Sequence, residues 1–195
     1  IDNSWQSFSI YENPKSPSSL SCRDIDNDGD IDVASISQSI NTILWHENVT
    51  GNGDQWETHS VLTTTFFANN LYVSDLDNDS VYDLISTNRA SSTIHFHKNI
   101  GGDGKTWEST NIHENFPQTT DLFLIDLDLD GDDDVLASSN LSKSVIWLEN
   151  ILPAGTTWIG EQIGSTINYP SSVKAADIDK DGDNDIIIGS LANSN

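Results

Sequence analysis

Twenty of the 31 acidic residues in this 195-residue chain fall within four nine-residue loops, each 51 residues from the next. The first carries Asp24, Asp26, Asp28, Asp30 and Asp32, and the second Asp75, Asp77, Asp79 and Asp83 with Val81 at its seventh position. The third carries Asp126, Asp128, Asp130, Asp132 and Asp134, and the fourth Asp177, Asp179, Asp181, Asp183 and Asp185. Carboxylates at alternate positions of a short turn are the chemistry of a hard divalent cation. Calcium takes about six to eight oxygens at ~2.3–2.6 Å, and a tight loop supplies them from side chains that point inward at positions 1, 3 and 5. The seventh residue (Asp30, Val81, Asp132 or Asp183) would add its backbone carbonyl, which needs no acidic side chain and so tolerates Val81. The ninth (Asp32, Asp83, Asp134 or Asp185) would close the shell, with both oxygens.

Glycine at position 6 lets the backbone curl through positive φ. Ser80 stands there in the second loop. A side chain in the left-handed region costs on the order of 1 kcal/mol, so of about four expected calcium sites the second is expected to be the weakest. An EF-hand does not fit, because its twelfth position needs glutamate and Ser35, Ser86, Ala137 and Ile188 stand there. Magnesium fits less well, since it keeps several waters and avoids cages built wholly from protein. A single acidic run is often only a solvated turn; four in register are not.

The formal net charge of −23 argues against nucleic acid or an anionic membrane surface as partner, since both need a basic face. No apolar run approaches the ~20 residues of a membrane span. Cys22 is the single cysteine, so no internal disulfide is expected and thiols do not fix the compartment. Weak modular calcium sites suit the millimolar calcium outside cells, which places the expectation at an extracellular or cell-surface location.

The step of 51 aligns more than aspartates. Trp5, Trp56, Trp107 and Trp158 form one column, Trp45, Phe96 and Trp147 another, and Asn48, Asn99 and Asn150 a third. Short alternating or β-branched apolar runs bounded by Gly, Asn, Asp and Pro read as four strands per unit. The first leads into the acidic loop (Leu20 and Cys22, Leu71 and Val73, Leu122 and Leu124, Val173 and Ala175), the second leaves it, the third holds Trp45, Phe96 or Trp147, and the fourth starts at the first tryptophan column. Four antiparallel strands in ~40–50 residues make the blade of an all-β propeller. The chain reads as a single propeller segment, residues 1–195, with units at about 1–17 (an outer strand only), 18–68, 69–119, 120–170 and an incomplete 171–195. The tryptophans are expected between blades.

The D-x-D-x-D-G-x-x-D loops, the Asp-Val or Asp-Ile strand after them, and the segments Trp45 to Asn48 and Trp147 to Asn150 resemble the FG-GAP and VCBS repeat family, best known from the N-terminal propeller of integrin alpha subunits. The resemblance runs over almost the whole chain. It implies a propeller whose loops between the first two strands of each blade bind calcium on one face. Seven blades are the family habit, so the resemblance implies part of a longer propeller or a gap filled by another copy.

Other residues read more plainly. His46 and His97 share a column with Leu148 and are expected to pack, although His95 beside His97 makes a metal pair conceivable. Cys22 shares a column with Val73, Leu124 and Ala175 and is expected in the core. Asn48 and Asn140 begin glycosylation sequons. Connections opposite the acidic loops hold Phe66, Phe67, Phe116 and Tyr169 beside amides, a composition that suits a sugar ring or a protein loop. No nucleophile–base set, phosphate loop or zinc motif stands out. The expectation is a non-enzymatic calcium-binding module for adhesion or recognition of a glycan or protein. The alternatives are the propeller portion of a secreted polysaccharide-active enzyme, or a filament or surface-layer subunit that self-assembles through incomplete terminal blades.

Overall fold

The structure is a computed structural model that describes residues 7–12, 16–62, 68–151, 155, 157–164 and 166–191. Trp5, Phe66 and Phe67 lie outside the described residues. The first sheet holds β1 (Pro17–Arg23), β2 (Asp32–Ser37), β3 (Thr42–Asn48) and β4 (Trp56–Leu62), hydrogen-bonded in that order. The second holds β5 (Ala68–Ser74), β6 (Asp83–Asn88), β7 (Thr93–Asn99) and β8 (Trp107–His113). The third holds β9 (Thr119–Ile125), β10 (Asp134–Ser139), β11 (Ser144–Ile151) and β12 (Thr157–Ile163), and the last pairs β13 (Pro170–Ala176) with β14 (Asp185–Ser190). All pairings are antiparallel. These are the expected propeller blades, three of them four-stranded. Residues 7–12, where the alignment places an outer strand, form none.

Burial explains the strand order. Strands β6 and β10 are buried throughout, because their alternate side chains enter different cores. Leu84 joins Ile25, Ile36 and Trp45 between the first two blades, while its neighbour Ile85 joins Leu76, Phe96 and Leu122 between the second and third. Val135 and Leu136 divide in the same way between the second and third interblade cores. Each blade thus has two faces and needs two neighbours. At the first blade the outer face of β1 is open, so Leu20 is 64% exposed and Cys22 is exposed too. This corrects the expected core role of Cys22: its column is a core column only where a preceding blade covers it.

The β1, β5, β9 and β13 strands line up at the inner edges. Ser19 and Ser21 accept the backbone N–H groups of Leu71 and Val73 at 3.1 Å, and the Asp121 carboxylate accepts that of Val173 at 3.1 Å. Side chains therefore satisfy donors that an edge strand would leave open. Trp45, fully buried, packs against Gly104 of the following blade, where a Cβ would come within 2.5 Å of the indole; Gly155 meets Phe96 in the equivalent place. Trp107 and Trp158 flank the same two cores, as expected of interblade tryptophans.

The asparagine column joins these parts. Asn48, Asn99 and Asn150 each donate their backbone N–H to the ninth aspartate of their own loop at 2.8 Å. Their side-chain oxygens accept from Gly53, Gly104 and Gly155, whose carbonyls take the indole N–H of Trp56, Trp107 and Trp158. The side-chain amides of Asn99 and Asn150 also reach back one blade, to the carbonyls of Ile25 (2.8 Å) and Leu76 (2.7 Å). Asn48 instead bonds within its own blade, to Ile31.

Asn150→Ala is expected to strand a buried carbonyl and a buried N–H and to cost about 2–4 kcal/mol. Asn48→Ala, lacking the interblade bond, should cost less. Urea unfolding of both variants checks the order.

Candidate metal centres

Each acidic loop is organised by its own carboxylates. The first aspartate gathers N–H groups across the turn: Asp24 accepts from Asp28 and Gly29, Asp75 from Asp79 and Ser80, Asp126 from Asp130 and Gly131, and Asp177 from Lys180 and Gly182. The fifth accepts the N–H of the seventh residue in all four. The sixth residue has positive φ throughout, about 100° at Gly29, Gly131 and Gly182 and 68° at Ser80. Ser80 reaches the left-handed region that the sequence assigned to it. The fourth residue is left-handed as well, at Asn27, Asn78, Leu129 and Lys180 with φ of 56–66°. Asparagine visits that region readily; leucine and lysine do so at a cost. Strain is therefore spread over the loops and is not confined to the second.

Carboxylate oxygens converge in every loop. Asp24, Asp26 and Asp32 each bring one ligand atom within 4.8 Å of the others, as do Asp75, Asp77 and Asp83, and Asp177, Asp179 and Asp185. In the third loop the set is Asp126, Asp128 and Asp130. Two oxygens sharing a calcium at ~2.4 Å each can be at most about 5 Å apart, so all four sets fit such an ion. Orphaned oxygens fit it too: Asp77 Oδ1 and Asp83 Oδ2 are buried without a hydrogen-bond partner among the described residues. Position 5 (Asp28, Asp79, Asp181) stands outside three of the sets, and position 9 (Asp134) outside the third. At position 7, Asp30 Oδ2 lies beside Gly51 and Val81 beside Gly102, whereas Asp132 is 4% exposed with both carboxylate oxygens buried and without a partner among the described residues. The Gly51 and Gly102 contacts bring the connections between third and fourth strands beside the acidic loops.

The ninth aspartate has a second use. Asp32 Oδ2 accepts the Ile25 N–H at 3.0 Å and Asp134 Oδ2 that of Leu127 at 3.1 Å, while the Oδ1 atoms take the asparagine N–H groups. Both oxygens of these carboxylates thus hold backbone, and an ion would share their remaining lone pairs.

Crowding raises proton affinity. Burial, aided by the charges of Asp77 and Asp79 and opposed by the hydrogen bond from the Asn99 N–H, pushes the Asp83 pKa up to about 7. Burial and the neighbouring Asp130 and Asp134 push Asp132 to about 7, and burial with Asp32 and Asp28 pushes Asp26 to about 6.

A residue the aspartate pattern did not flag enters the second loop. The Lys98 ammonium bonds Asp77 Oδ2, and Asp79 Oδ2 at 3.0 Å. Burial opposes its charge, but the hydrogen bonds to Asp77 and Asp79 outweigh burial and raise its pKa. The signal was present in the alignment: the same column holds Glu47 and Glu149. Glu47 in turn lies opposite Glu57 in the β3–β4 pairing and 2.9 Å from His59 Nε2, a further group of possible ligand atoms.

The histidine column is structural. His46 bridges Ser35 and Thr58, and His97 bridges Ser86 and Ser109, at 2.7–2.9 Å. Burial pushes the His97 pKa down to about 3, so its ring is neutral. The third blade replaces all three partners together with Ala137, Leu148 and Gly160. His95 stacks on His97 at 6.0 Å and bonds Thr93, not a metal partner. Asn48 is buried with its amide engaged, which closes that sequon to a glycan. On the opposite side, Phe116 is 3% exposed and caps a core. It borders an open cleft of about 320 Å³ with His113, Asn115, Glu161 and Gln162.

The family model described as FG-GAP-like repeat matches residues 24–86 and 126–188, more than half of the chain. No curated protein matches it.

The raised carboxylate pKa values fix a pH dependence for cation binding. Between the unfolded value of 3.8 and about 7, the metal-free folded loops hold protons that a cation must displace. These groups therefore favour the metal-free fold as pH falls, and oppose it as pH rises through 7. The calcium-induced increase in Tm is expected to be larger at pH 7.5 than at pH 5.5, as Asp132 in the third loop, and to a smaller extent Asp26 in the first, would differ in protonation between them. Taking the difference between calcium and chelator at each pH cancels the buried histidines, which lose stability below their ordinary pKa of 6.5 with or without metal.

Proposed function

This chain belongs to the FG-GAP-like repeat family, and on that premise we propose that it is a calcium-stabilised propeller segment for adhesion or recognition of a glycan or protein, outside the cell or on its surface. The observation that carries the reading is the convergence of three carboxylate oxygens within 4.8 Å in all four loops at the same register. The calcium ligands would be Asp24, Asp26, Asp28 and Asp32, with the matching residues of the third and fourth loops and the carbonyls of Asp30, Asp132 and Asp183; the second loop offers the same set with the Val81 carbonyl, but the Lys98 ammonium already sits on two of its carboxylates. Calcium would supply positive charge to the first, third and fourth loops; the second already has the Lys98 ammonium. The chain's own residues set the rest: ninth aspartates fix the loops to β3, β7 and β11, and Asn99 and Asn150 fix the first and second loops to the following blade. The role is scaffold, with recognition falling to the surfaces that the blades present, and no catalytic step is assigned. No helix among the described residues is long and apolar enough to cross a membrane.

Exposed Leu20 on the first blade and Ile187 (47% exposed) on the last favour a second reading, the addition of further blades or copies at these two faces.

At calcium ten times a site's dissociation constant, each site adds about 1.4 kcal/mol. Several such sites should raise Tm by roughly 10 °C in millimolar calcium over chelator. Equal melting in both removes the calcium assignment. Calcium-dependent binding on a glycan array or to a cell-surface protein supports recognition, whereas products released from a polysaccharide would replace it with an enzyme.

A further inference from the structure

We propose that Lys98 is a tethered counter-ion that takes the metal's place in the second acidic loop, so that this blade closes without calcium while the others depend on it. The inference rests on the calcium reading for the first, third and fourth loops.

Three differences meet at this loop. Ser80 replaces the sixth-position glycine, Val81 replaces the aspartate found at position 7 elsewhere, and Lys98 replaces the glutamate of its column, Glu47 and Glu149. The last two changes remove negative charge or add positive charge beside the same four carboxylates, whereas Ser80 is neutral like the glycine it replaces. The ammonium sits on the aspartates at positions 3 and 5, Asp77 and Asp79, two of the three inward positions a calcium ion would use. Asp77 is also the buried member of its column, 5% exposed, whereas Asp26, Asp128 and Asp179 are not buried. A buried carboxylate needs a charge partner, and Lys98 is the one this structure provides. The next blade covers the pair: a Cβ at Gly155 would approach Asp77 Cβ to 2.7 Å.

The remaining oxygens of the loop do not restore a second place for calcium. Asp77 Oδ1 and Asp83 Oδ2 have no donor among the described residues, but a divalent ion on Asp77 Oδ1 would share one carboxylate with the ammonium on Oδ2. Like charges at such separation repel strongly in a partly buried site. The lysine is also covalently attached, so it competes at a high effective concentration that free calcium must exceed.

Calcium counting by equilibrium dialysis tests the proposal on the full chain. Lys98→Glu, which restores the glutamate of the column, is expected to bind one more ion per chain than the wild type. Asp79→Asn is expected to leave the wild-type count unchanged. A wild-type count that falls with Asp79→Asn, or no gain with Lys98→Glu, overturns the proposal. A second arm needs no metal: in chelator, Lys98→Met should lower Tm by about 5 °C, while Glu149→Met should not. An unchanged Tm for Lys98→Met overturns the counter-ion. A wild type that binds no calcium at all defeats the calcium reading instead, and leaves the chelator arm to decide the role of Lys98.

Discussion

A buried carboxylate costs least when donors meet both its oxygens, and in this fold the ninth aspartates of the first and third blades are held in that way. Asp32 and Asp134 are each 1% exposed, and each takes one N–H from its own loop and one from the asparagine at the end of the third strand. Leaving such a group without donors would cost several kcal/mol, so the loop, the strand that leaves it and the strand two places away move as one unit. The asparagine then carries the constraint onward, through its side chain, to the preceding blade and to the tryptophan turn. Without that carboxylate the interblade cores would have no fixed register in which to form.

The same loops hold more negative charge than the fold can ignore. There are three means of neutralising it, and they compete for the same oxygens. Protons are held at Asp83 and Asp132 to near-neutral pH, a divalent cation fits the converged sets, and an ammonium is in place in the second loop. The means differ in what they leave exposed to the surroundings. Protonation follows pH, a cation follows its concentration, and a lysine follows neither.

Much of the architecture was legible because the units repeat. Apolar runs such as Leu84–Ile85 and Val135–Leu136 look featureless alone, yet in register they mark central strands whose successive side chains enter opposite cores. The positive φ at Ser80 followed from the glycines aligned with it. Other features were not legible, for physical reasons. The left-handed residues at Leu129 and Lys180 have no compositional mark, because the loop's hydrogen bonds override the preference of those side chains. Cys22 shares a core column and is still exposed, since burial depends on a neighbouring blade and not on the residue. Lys98 was visible only as a lone change of sign in a column outside the aspartates; its ion pair depends on how β7 lies beside the loop.

The asparagine bonds have one further consequence. Asn99 reaches Ile25 and Asn150 reaches Leu76 across the same 74 positions, so each unit carries a donor at one end and the acceptor for the next unit at the other. A tandem copy of the unit therefore arrives with half a joint on each side. A chain of this kind can lengthen by duplication of its gene segment without inventing a new contact, and losing one unit brings the two adjoining halves together.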